Sequence, residues 1–351
     1  MNRGNQNKPL YETGEVRIGV QSPGNDWVRA DGSAVDINSA LGQQLLKTGY
    51  FAWVTQTSQF TSAIKSVAYG NNLWVAVGEV GVIRTSTDAV TWTTQTSNFG
   101  SSGISSVAYG NSLWVAGGNG GALRTSTDAV TWVTQNSTFG ASAISTIAYG
   151  NSLWVAGGAG GALRTSTDAV TWVTRTSTFG TSIISSVAHN NLSGANALWV
   201  AGGAAGTLRT STDAVTWVTQ TSTFVFSISS VAYGSGVWVA GGGVGALRTS
   251  TDAVTWVTQT PNFATASIQS IFYGNNLWTA SGDGGRLRTS TDAITWVTQT
   301  SNMNVNININ SVAYGNGVWV AGGSVGALRT ANSVATPNLN FDYGVYGWVK
   351  K

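Results

Sequence analysis

The chain has 351 residues, of which 42% are hydrophobic and only 9% charged, and its formal net charge is +3. It contains no cysteine and one histidine, which excludes disulfides, thiolate metal centres and pairs of catalytic histidines. No apolar run reaches the length of a membrane-spanning helix, and the first residues are polar rather than signal-like. We therefore expect a globular protein with no membrane insertion and no cofactor.

The predicted elements begin outside any repeat. After a polar arm over residues 1–8, the sequence indicates a strand, a Pro-Gly-Asn turn, a second strand through Trp27 and a hairpin turn at Asp31-Gly32. Apolar residues then recur at helical spacing, which predicts a short helix over residues 36–47.

From residue 51 onwards the sequence repeats with a period of about 40 residues. A Ser-Thr-Asp-Ala-Val-Thr-Trp stretch returns almost letter for letter, and its tryptophans are separated by 40, 40, 45, 39 and 40 residues. Each unit has four short runs rich in Val, Ile, Leu, Thr, Trp and Tyr, separated by Gly, Asn, Asp and Ser, which predicts four strands joined by turns. Such a unit has the size of one β-propeller blade. The tryptophans are Trp92, Trp132, Trp172, Trp217, Trp256 and Trp296.

The two ends of the repeat complement each other. Trp53 lies in a fourth strand that has no first three strands before it, whereas the last unit ends at Thr330 after three strands. We therefore predict an all-β, seven-bladed propeller of four-stranded blades over residues 51–330, closed by an N-terminal strand that completes the last blade. Closure removes exposed sheet edges. A β-solenoid, the rival interpretation, does not explain why a strand missing at one end is supplied at the other.

The segments outside the repeat resemble the tail-fibre and tail-collar-like proteins of bacteriophages. The first carries a Ser-Pro turn, Trp27 and Ala30-Asp-Gly-Ser33, and the second carries Thr336-Pro-Asn-Leu-Asn340 and Tyr346-Gly-Trp-Val-Lys-Lys351. In such proteins a short collar module usually lies between these segments, whereas here a propeller is inserted. The resemblance implies that residues 1–50 and 331–351 pack together as a small fibre or attachment domain, with the propeller as a separate domain.

The repeated Asp motif resembles the Asp-box of sialidases and related propellers, although it is one residue shorter and lacks the glycine. In that family the Asp accepts backbone N–H bonds in the turn between the third and fourth strands, which implies a structural role. A calcium site is the alternative, but each motif offers one carboxylate and calcium takes six to eight oxygens, so we predict no metal. The structural aspartates are Asp88, Asp128, Asp168, Asp213, Asp252 and Asp292.

One arginine recurs in each unit. We predict that these arginines are structural and pair with an acid or stack on a tryptophan face; a ring of arginines around one anionic ligand is the alternative. Because the repeat spreads them evenly, the positive net charge does not indicate a nucleic-acid partner. They are Arg84, Arg124, Arg164, Arg209, Arg248, Arg288 and Arg329.

Few residues are suited to catalysis. Outside the Asp motifs, the propeller has two acids, Glu79 and Asp283, in equivalent loops of the first and sixth units. A glycosidase of the usual kind needs two facing carboxylates, and these lie two blades apart in a seven-membered ring. The single histidine, His189, is interpreted as a surface residue at the start of an insertion in the fourth unit. We therefore predict that the protein is not an enzyme.

Sequence variation is concentrated on one side of the predicted propeller. Loops after the second and fourth strands share one face, and the turns with the Asp motifs share the other. Recognition usually lies where loops vary on a fixed scaffold, although neutral drift would give the same pattern. The candidate ligand-binding residues are Glu79, Asn119, Asp283, Arg286 and Phe226.

Together these features predict a virion structural protein of a tailed phage: a tail fibre or tail-associated adhesin whose propeller recognises a host-surface glycan. Its partners would be other tail or baseplate proteins of the virion, which is assembled in the host cytoplasm, and by analogy with fibre proteins a homotrimer is one option. Two alternatives stay open: a non-viral lectin-like or scaffold propeller, and a glycan-cleaving enzyme of Asp-box type.

Overall fold

The structure is a computed structural model that describes residues 16–19, 27–30, 34–36, 53–331, 333–335 and 346–350. The predicted polar arm and the predicted helix beyond Asp36 lie outside these residues. The chain divides into two units, one formed by Met1–Ala52 with Ala331–Lys351 and the other by Trp53–Thr330.

The larger unit consists of seven four-stranded antiparallel sheets. The first strands of blades 1 to 7 are Ile64–Gly70, Ile104–Gly110, Ile144–Gly150, Ile184–His189, Ile228–Gly234, Ile268–Gly274 and Ile309–Gly315. The second strands are Leu73–Gly78, Leu113–Gly118, Leu153–Gly158, Trp199–Gly203, Val237–Gly242, Leu277–Gly282 and Val318–Gly323. The third strands are Ile83–Ser86, Leu123–Ser126, Leu163–Ser166, Leu208–Ser211, Leu247–Ser250, Leu287–Ser290 and Leu328–Ala331. The fourth strands are Thr93–Gln95, Val133–Gln135, Val173–Arg175, Val218–Gln220, Val257–Gln259, Val297–Gln299 and, for blade 7, Val54–Gln56.

A short 3-10 turn joins the second and third strands of every blade. These turns are Glu79–Gly81, Asn119–Gly121, Ala159–Gly161, Ala204–Gly206, Gly243–Gly245, Asp283–Gly285 and Ser324–Gly326. One further 3-10 turn, Gly194–Asn196, lies in the insertion between the first two strands of blade 4.

The ring closes as the sequence predicts. Val54–Gln56 pairs antiparallel with Leu328–Thr330 and supplies the fourth strand of blade 7. The first strands of neighbouring blades pack against one another around the whole ring, including blade 7 against blade 1, so that they are the innermost strands. The prediction of an all-β, seven-bladed propeller completed by an N-terminal strand is therefore confirmed.

Hydroxyl groups fasten the innermost strands to one another. The third residue of each first strand is Ser or Thr, and its oxygen accepts the backbone N–H of the fourth residue in the next blade's first strand, at 2.9–3.3 Å. Blade 7 and blade 1 are joined in the same way, by Ser311 and Val67. These bonds satisfy buried backbone donors, whose desolvation would otherwise cost free energy.

Each first strand begins with a bulge. In blade 2, Ile104 lies opposite Gly118 and Ser106 lies opposite Gly117, so that Ser105 is an extra residue without a partner in the second strand. The register shifts at the same place in the other six blades. Bulges of this kind re-aim side chains and often occur beside binding sites.

The hydrophobic cores lie between adjacent blades. The cluster between blades 1 and 2, for example, combines Val75 of blade 1 with Ile104 and Trp114 of blade 2, each 0% exposed. The tryptophan of the Asp motif closes the cluster, and its indole N–H donates to a turn carbonyl, as Trp132 does to Ala129 at 3.0 Å. Burial of one such ring removes roughly 150–250 Å² from water, so tryptophans dominate the stability of the scaffold.

The smaller unit joins the two ends of the chain. Tyr346–Lys350 pairs antiparallel with both Val16–Gly19 and Trp27–Ala30 and lies between them in a three-stranded sheet. A second pairing links Ala34–Asp36 with Ser333–Ala335. Among the described residues, no helix is long and apolar enough to cross a membrane.

Candidate functional site

The repeated aspartates organise turns. In blade 2, one carboxylate oxygen of Asp128 accepts the backbone N–H groups of Val130 and Thr131, both at 2.8 Å, and the hydroxyl of Ser126. Equivalent bonds hold the turn in blade 3, where the N–H groups of Thr171 and Val170 lower the pKa of Asp168 to about 2. These hydrogen bonds fix the turn between the third and fourth strands. The role of the aspartates is therefore structural.

The repeated arginines are structural, but their partner is phenylalanine. In six blades the guanidinium carbon lies 4.2–5.2 Å from the centre of a phenylalanine ring in the segment that leads into the same blade. Arg124, for example, stacks on Phe99 and donates to the carbonyl of Asn98 at 2.7 Å. The expected stacking on tryptophan is wrong because the tryptophans are turned into the cores between blades.

His189 is buried rather than a surface residue. It occupies the position that tyrosine holds in the other blades, is 7% exposed, and its ring lies 4.5 Å from that of Trp199. Its Nδ1 accepts the N–H of Asn191 at 3.0 Å, and burial lowers its pKa. The surface interpretation is wrong because the histidine belongs to the innermost strand and the insertion begins after it.

The variable loops meet on one face of the propeller. In blade 2, the backbone N–H of Asn119, in the turn between the second and third strands, donates to the carbonyl of Gly103, just before the first strand, at 2.9 Å. The corresponding bond forms in the other blades. We call this side the loop face. The Asp motifs lie at the other end of the third strands.

Two of the predicted ligand-binding residues meet on the loop face of blades 1 and 2. The carboxylate of Glu79 forms an ion pair with Lys65 at 3.0 Å. A methyl group placed on Gly103 would lie 3.2 Å from the side-chain nitrogen of Asn119 and 3.8 Å from the Cα of Glu79. Glu79 and Asn119 therefore flank the same point of the face.

Two further candidates lie together on blade 6. The carboxylate of Asp283 accepts the side-chain N–H of Gln269 at 3.0 Å and the backbone N–H of Ser267 at 3.3 Å. The guanidinium of Arg286 donates to the carbonyl of Asp283 at 3.2 Å. In the ring, blade 7 lies between Asp283 on blade 6 and Glu79 on blade 1.

Blade 7 connects these two groups through asparagines. The side-chain oxygen of Asn308 accepts the N–H of Gly284 in blade 6 at 3.1 Å, and the side-chain nitrogen of Asn310 donates to the carbonyl of Ile64 in blade 1 at 2.8 Å. Polar side chains thus lie on the loop face of three adjacent blades. We call it the polar arc: Gln269, Asp283, Arg286, Asn308, Asn310, Lys65 and Glu79.

Four members of the polar arc are absent from the sequence prediction: Lys65, Gln269, Asn308 and Asn310. Three of them occupy the bulged second position of a first strand, where the other four blades have serine. The signal was present in the aligned repeats, but inside a strand rather than in a loop. The serines are Ser105, Ser145, Ser185 and Ser229.

Phe226, the remaining candidate, lies on blade 5, which adjoins blade 6. Its side chain is 50% exposed and runs past Gly243, where an added methyl would lie 2.9 Å from the Cβ of Phe226. It therefore offers an apolar surface beside the blade-6 end of the polar arc.

Other features of the described residues do not form a second centre. No group of three or more acidic or histidine side chains among them is placed to hold a metal ion. A cleft of about 230 Å³ opens between blades 5 and 6 on the face of the Asp motifs, lined partly by Val237, Asp292 and Ile294. It contains none of the predicted ligand-binding residues.

Comparisons with known proteins concern the fold. No family model matches the chain, and no curated protein matches it. YCF48 from Cyanidioschyzon merolae is 16% identical, with 80% of this chain and 98% of that one covered and a TM-score of 0.63. YCF48 bound to D1 peptide is 15% identical (85% and 97% covered, TM-score 0.65), and the WD40 β-propeller domain of Doa1 is 14% identical (81% and 96%, TM-score 0.67). At these identities the chain shares the β-propeller fold with these proteins.

Proposed function

We propose that this propeller is a non-enzymatic recognition module that binds a glycan on its loop face. The observation that carries the proposal is the polar arc, which breaks the repeat on three adjacent blades while the scaffold beneath stays regular. Variation that is concentrated on one side of a fixed framework is typical of a binding surface.

The chemistry of the arc suits a neutral, hydroxyl-rich ligand. Its amide groups both donate and accept hydrogen bonds, as sugar hydroxyls do. Its two cations, Lys65 and Arg286, are balanced by the carboxylates of Glu79 and Asp283, so that the arc has no net charge to attract a strongly ionic ligand. The half-exposed ring of Phe226 adds an apolar surface for the carbon face of a sugar.

We further propose that the protein belongs to the virion of a tailed phage. There it acts as a tail fibre or tail-associated adhesin among other tail or baseplate proteins. The resemblance of the end segments to tail-fibre and collar-like proteins supports it. The pairing of Tyr346–Lys350 with Val16–Gly19 and Trp27–Ala30 is compatible with a single mount built from both segments. The Asp-box interpretation of the turns belongs to the same proposal, as a feature of the scaffold.

The bonding of the carboxylates supports binding over glycan cleavage. Glu79 is paired with Lys65, and Asp283 is bonded to Gln269 and Ser267. A glycosidase of the usual kind needs two carboxylates that face each other across the substrate, whereas each of these two is already engaged by a group of its own blade.

A second candidate is peptide binding on the same face. It is favoured by one structural neighbour, YCF48, which was determined bound to D1 peptide. That likeness is one of fold, so the peptide is an alternative outcome of the test below rather than an equal proposal.

The test is binding of the full chain to an array of bacterial surface glycans and to a peptide array. We expect glycan binding that a Glu79→Ala, Asp283→Ala, Arg286→Ala triple variant weakens at least tenfold, since each lost charged hydrogen bond costs about 1.5–3 kcal/mol. Thr127→Ala, an exposed change on the opposite face, is the matched control and should leave binding unchanged. Equal loss in both variants, or binding to peptides alone, would contradict the proposal.

A further inference from the structure

The innermost strand of blade 6 departs from the repeat at one more position. Phe272 is the fifth residue of its first strand, where every other blade has alanine. Because the first strands are innermost, these positions lie next to the propeller axis. The alanines are Ala68, Ala108, Ala148, Ala188, Ala232 and Ala313.

Phe272 packs against blade 7 beside the axis. Its ring lies edge-on to Trp319 of blade 7, with 6.1 Å between the ring centres, and it packs against the cluster that contains Ala313. Ala313 is 3% exposed, whereas the other five alanines at this level are half-buried. The difference follows because the phenylalanine lies over Ala313 and remains itself only partly buried.

The aromatic ring lies below the polar arc on the same blade. Gln269 precedes Phe272 by three residues in one strand, which corresponds to about 10 Å along the axis. Gln269, Asn310 and Lys65 occupy the bulged positions of blades 6, 7 and 1 at the mouth of the channel. The mouth is therefore polar on the side where the wall beneath it is aromatic.

The two amides at the mouth have unused acceptors. Gln269 donates its side-chain N–H to Asp283, and Asn310 donates its own to the carbonyl of Ile64. Within the described part of the chain, neither amide oxygen accepts a hydrogen bond. Half-buried acceptors of this kind are free to bind donors such as hydroxyl groups.

We propose that the terminal sugar unit of the glycan enters the axial channel end-on. Its hydroxyls donate to the side-chain oxygens of Gln269 and Asn310, and its apolar face packs against Phe272. The inference rests on the proposed function and adds to it that the protein recognises glycan ends rather than internal stretches of a chain.

The test uses the full chain and pairs of oligosaccharides that share internal linkages but differ in the terminal unit. We expect binding to follow the terminal unit and to fall at least tenfold in Phe272→Ala and in Gln269→Ser, each of which restores the residue found in other blades. Phe272→Tyr keeps the ring and should bind within about threefold of the parent.

Stability is followed in parallel by thermal unfolding. If Phe272→Ala does not fold, Gln269→Ser and Asn310→Ser, at the mouth of the channel, still decide the question. Binding that ignores the terminal unit, or that survives all three changes while the triple variant of the arc abolishes it, would overturn axial entry and leave the proposed function intact. Failure of the parent chain to bind any glycan would instead remove the proposed function itself.

Discussion

Blades 3 and 6 have the same framework and differ where they approach the axis. Blade 3 has Ser145 and Ala148 in its first strand, whereas blade 6 has Gln269 and Phe272 at the equivalent positions. Residues that pack between blades are almost unchanged, because each of them must fit a neighbouring blade as well as its own. The departures from the repeat are concentrated at the axis and on the loop face, and so they are the best pointer to function.

The largest expected effect tests whether the framework is equivalent in the two blades. Trp154 and Trp278, the second-strand tryptophans, are 0% and 1% exposed. Replacement of either by alanine should lower the free energy of unfolding by about 3–5 kcal/mol, since it leaves a large cavity between blades. Chemical denaturation of both variants checks this. If the free energy of unfolding falls by at least about 2 kcal/mol less in the Trp278 variant than in the Trp154 variant, divergence at the axis has loosened the core of blade 6 as well.

Blades 3 and 6 also show how much of the structure the sequence alone predicts. The fold followed from it because every blade repeats the strand and turn pattern and because the orphan strand at Val54–Gln56 matched the gap in the last unit. Asp283 and Arg286 could also be identified from the sequence, because they differ from the residues at the same positions of the other turns. The side chains of a repeat can be aligned without coordinates, which is why this part was predictable.

What the sequence did not indicate depends on contacts between blades. Phe272 reads as one more apolar residue of a strand, and only the ring of alanines around the axis makes it exceptional. The role of Asn310 depends on its hydrogen bond to the carbonyl of Ile64 in blade 1, which is far away in the chain. Likewise, the stacking of arginine on phenylalanine joins a third strand to the segment before the first strand, which no local pattern contains.

A smaller effect distinguishes the Asp turns of the two blades in acid. The backbone N–H groups of Thr171 and Val170 lower the pKa of Asp168 to about 2, whereas the burial of Asp292 opposes the N–H groups of its own turn, and its pKa is still lowered. A lowered pKa stabilises the folded state above the unfolded pKa, near 4, and this contribution is lost as the pH falls towards the folded value. Both turns therefore weaken in acid.

The comparison is made with Asp168→Asn and Asp292→Asn, which keep an acceptor oxygen but remove the charge. We expect each to cost about 1 kcal/mol at neutral pH and to reduce the loss of stability between pH 4 and pH 2. The reduction should be larger for Asp168→Asn. Urea midpoints measured across this range test this. If the reduction is equal for the two variants, or larger for Asp292→Asn, burial in blade 6 does not oppose the lowering of the Asp292 pKa by its turn.

The smallest expected effect concerns a position at which blades 3 and 6 agree. The middle residue of the turn between the second and third strands has a positive φ, and both blades have glycine there, Gly160 and Gly284. Blade 1 instead has Val80, with φ 54° and a side chain that is 55% exposed. A β-branched residue is strained in this left-handed region, and an exposed side chain gains little packing in return.

Val80→Gly should therefore raise the free energy of unfolding by about 0.5–1 kcal/mol, because relief of roughly 1–2 kcal/mol of strain exceeds the entropic cost of an added glycine. Val90→Gly is the matched control: that side chain is 49% exposed, its φ is not positive, and only the entropic cost remains, so the variant should lose stability. Thermal unfolding of both variants gives the comparison. If Val80→Gly loses as much as Val90→Gly, the valine contributes packing that outweighs its strain. If it gains, the strained valine is not kept for stability.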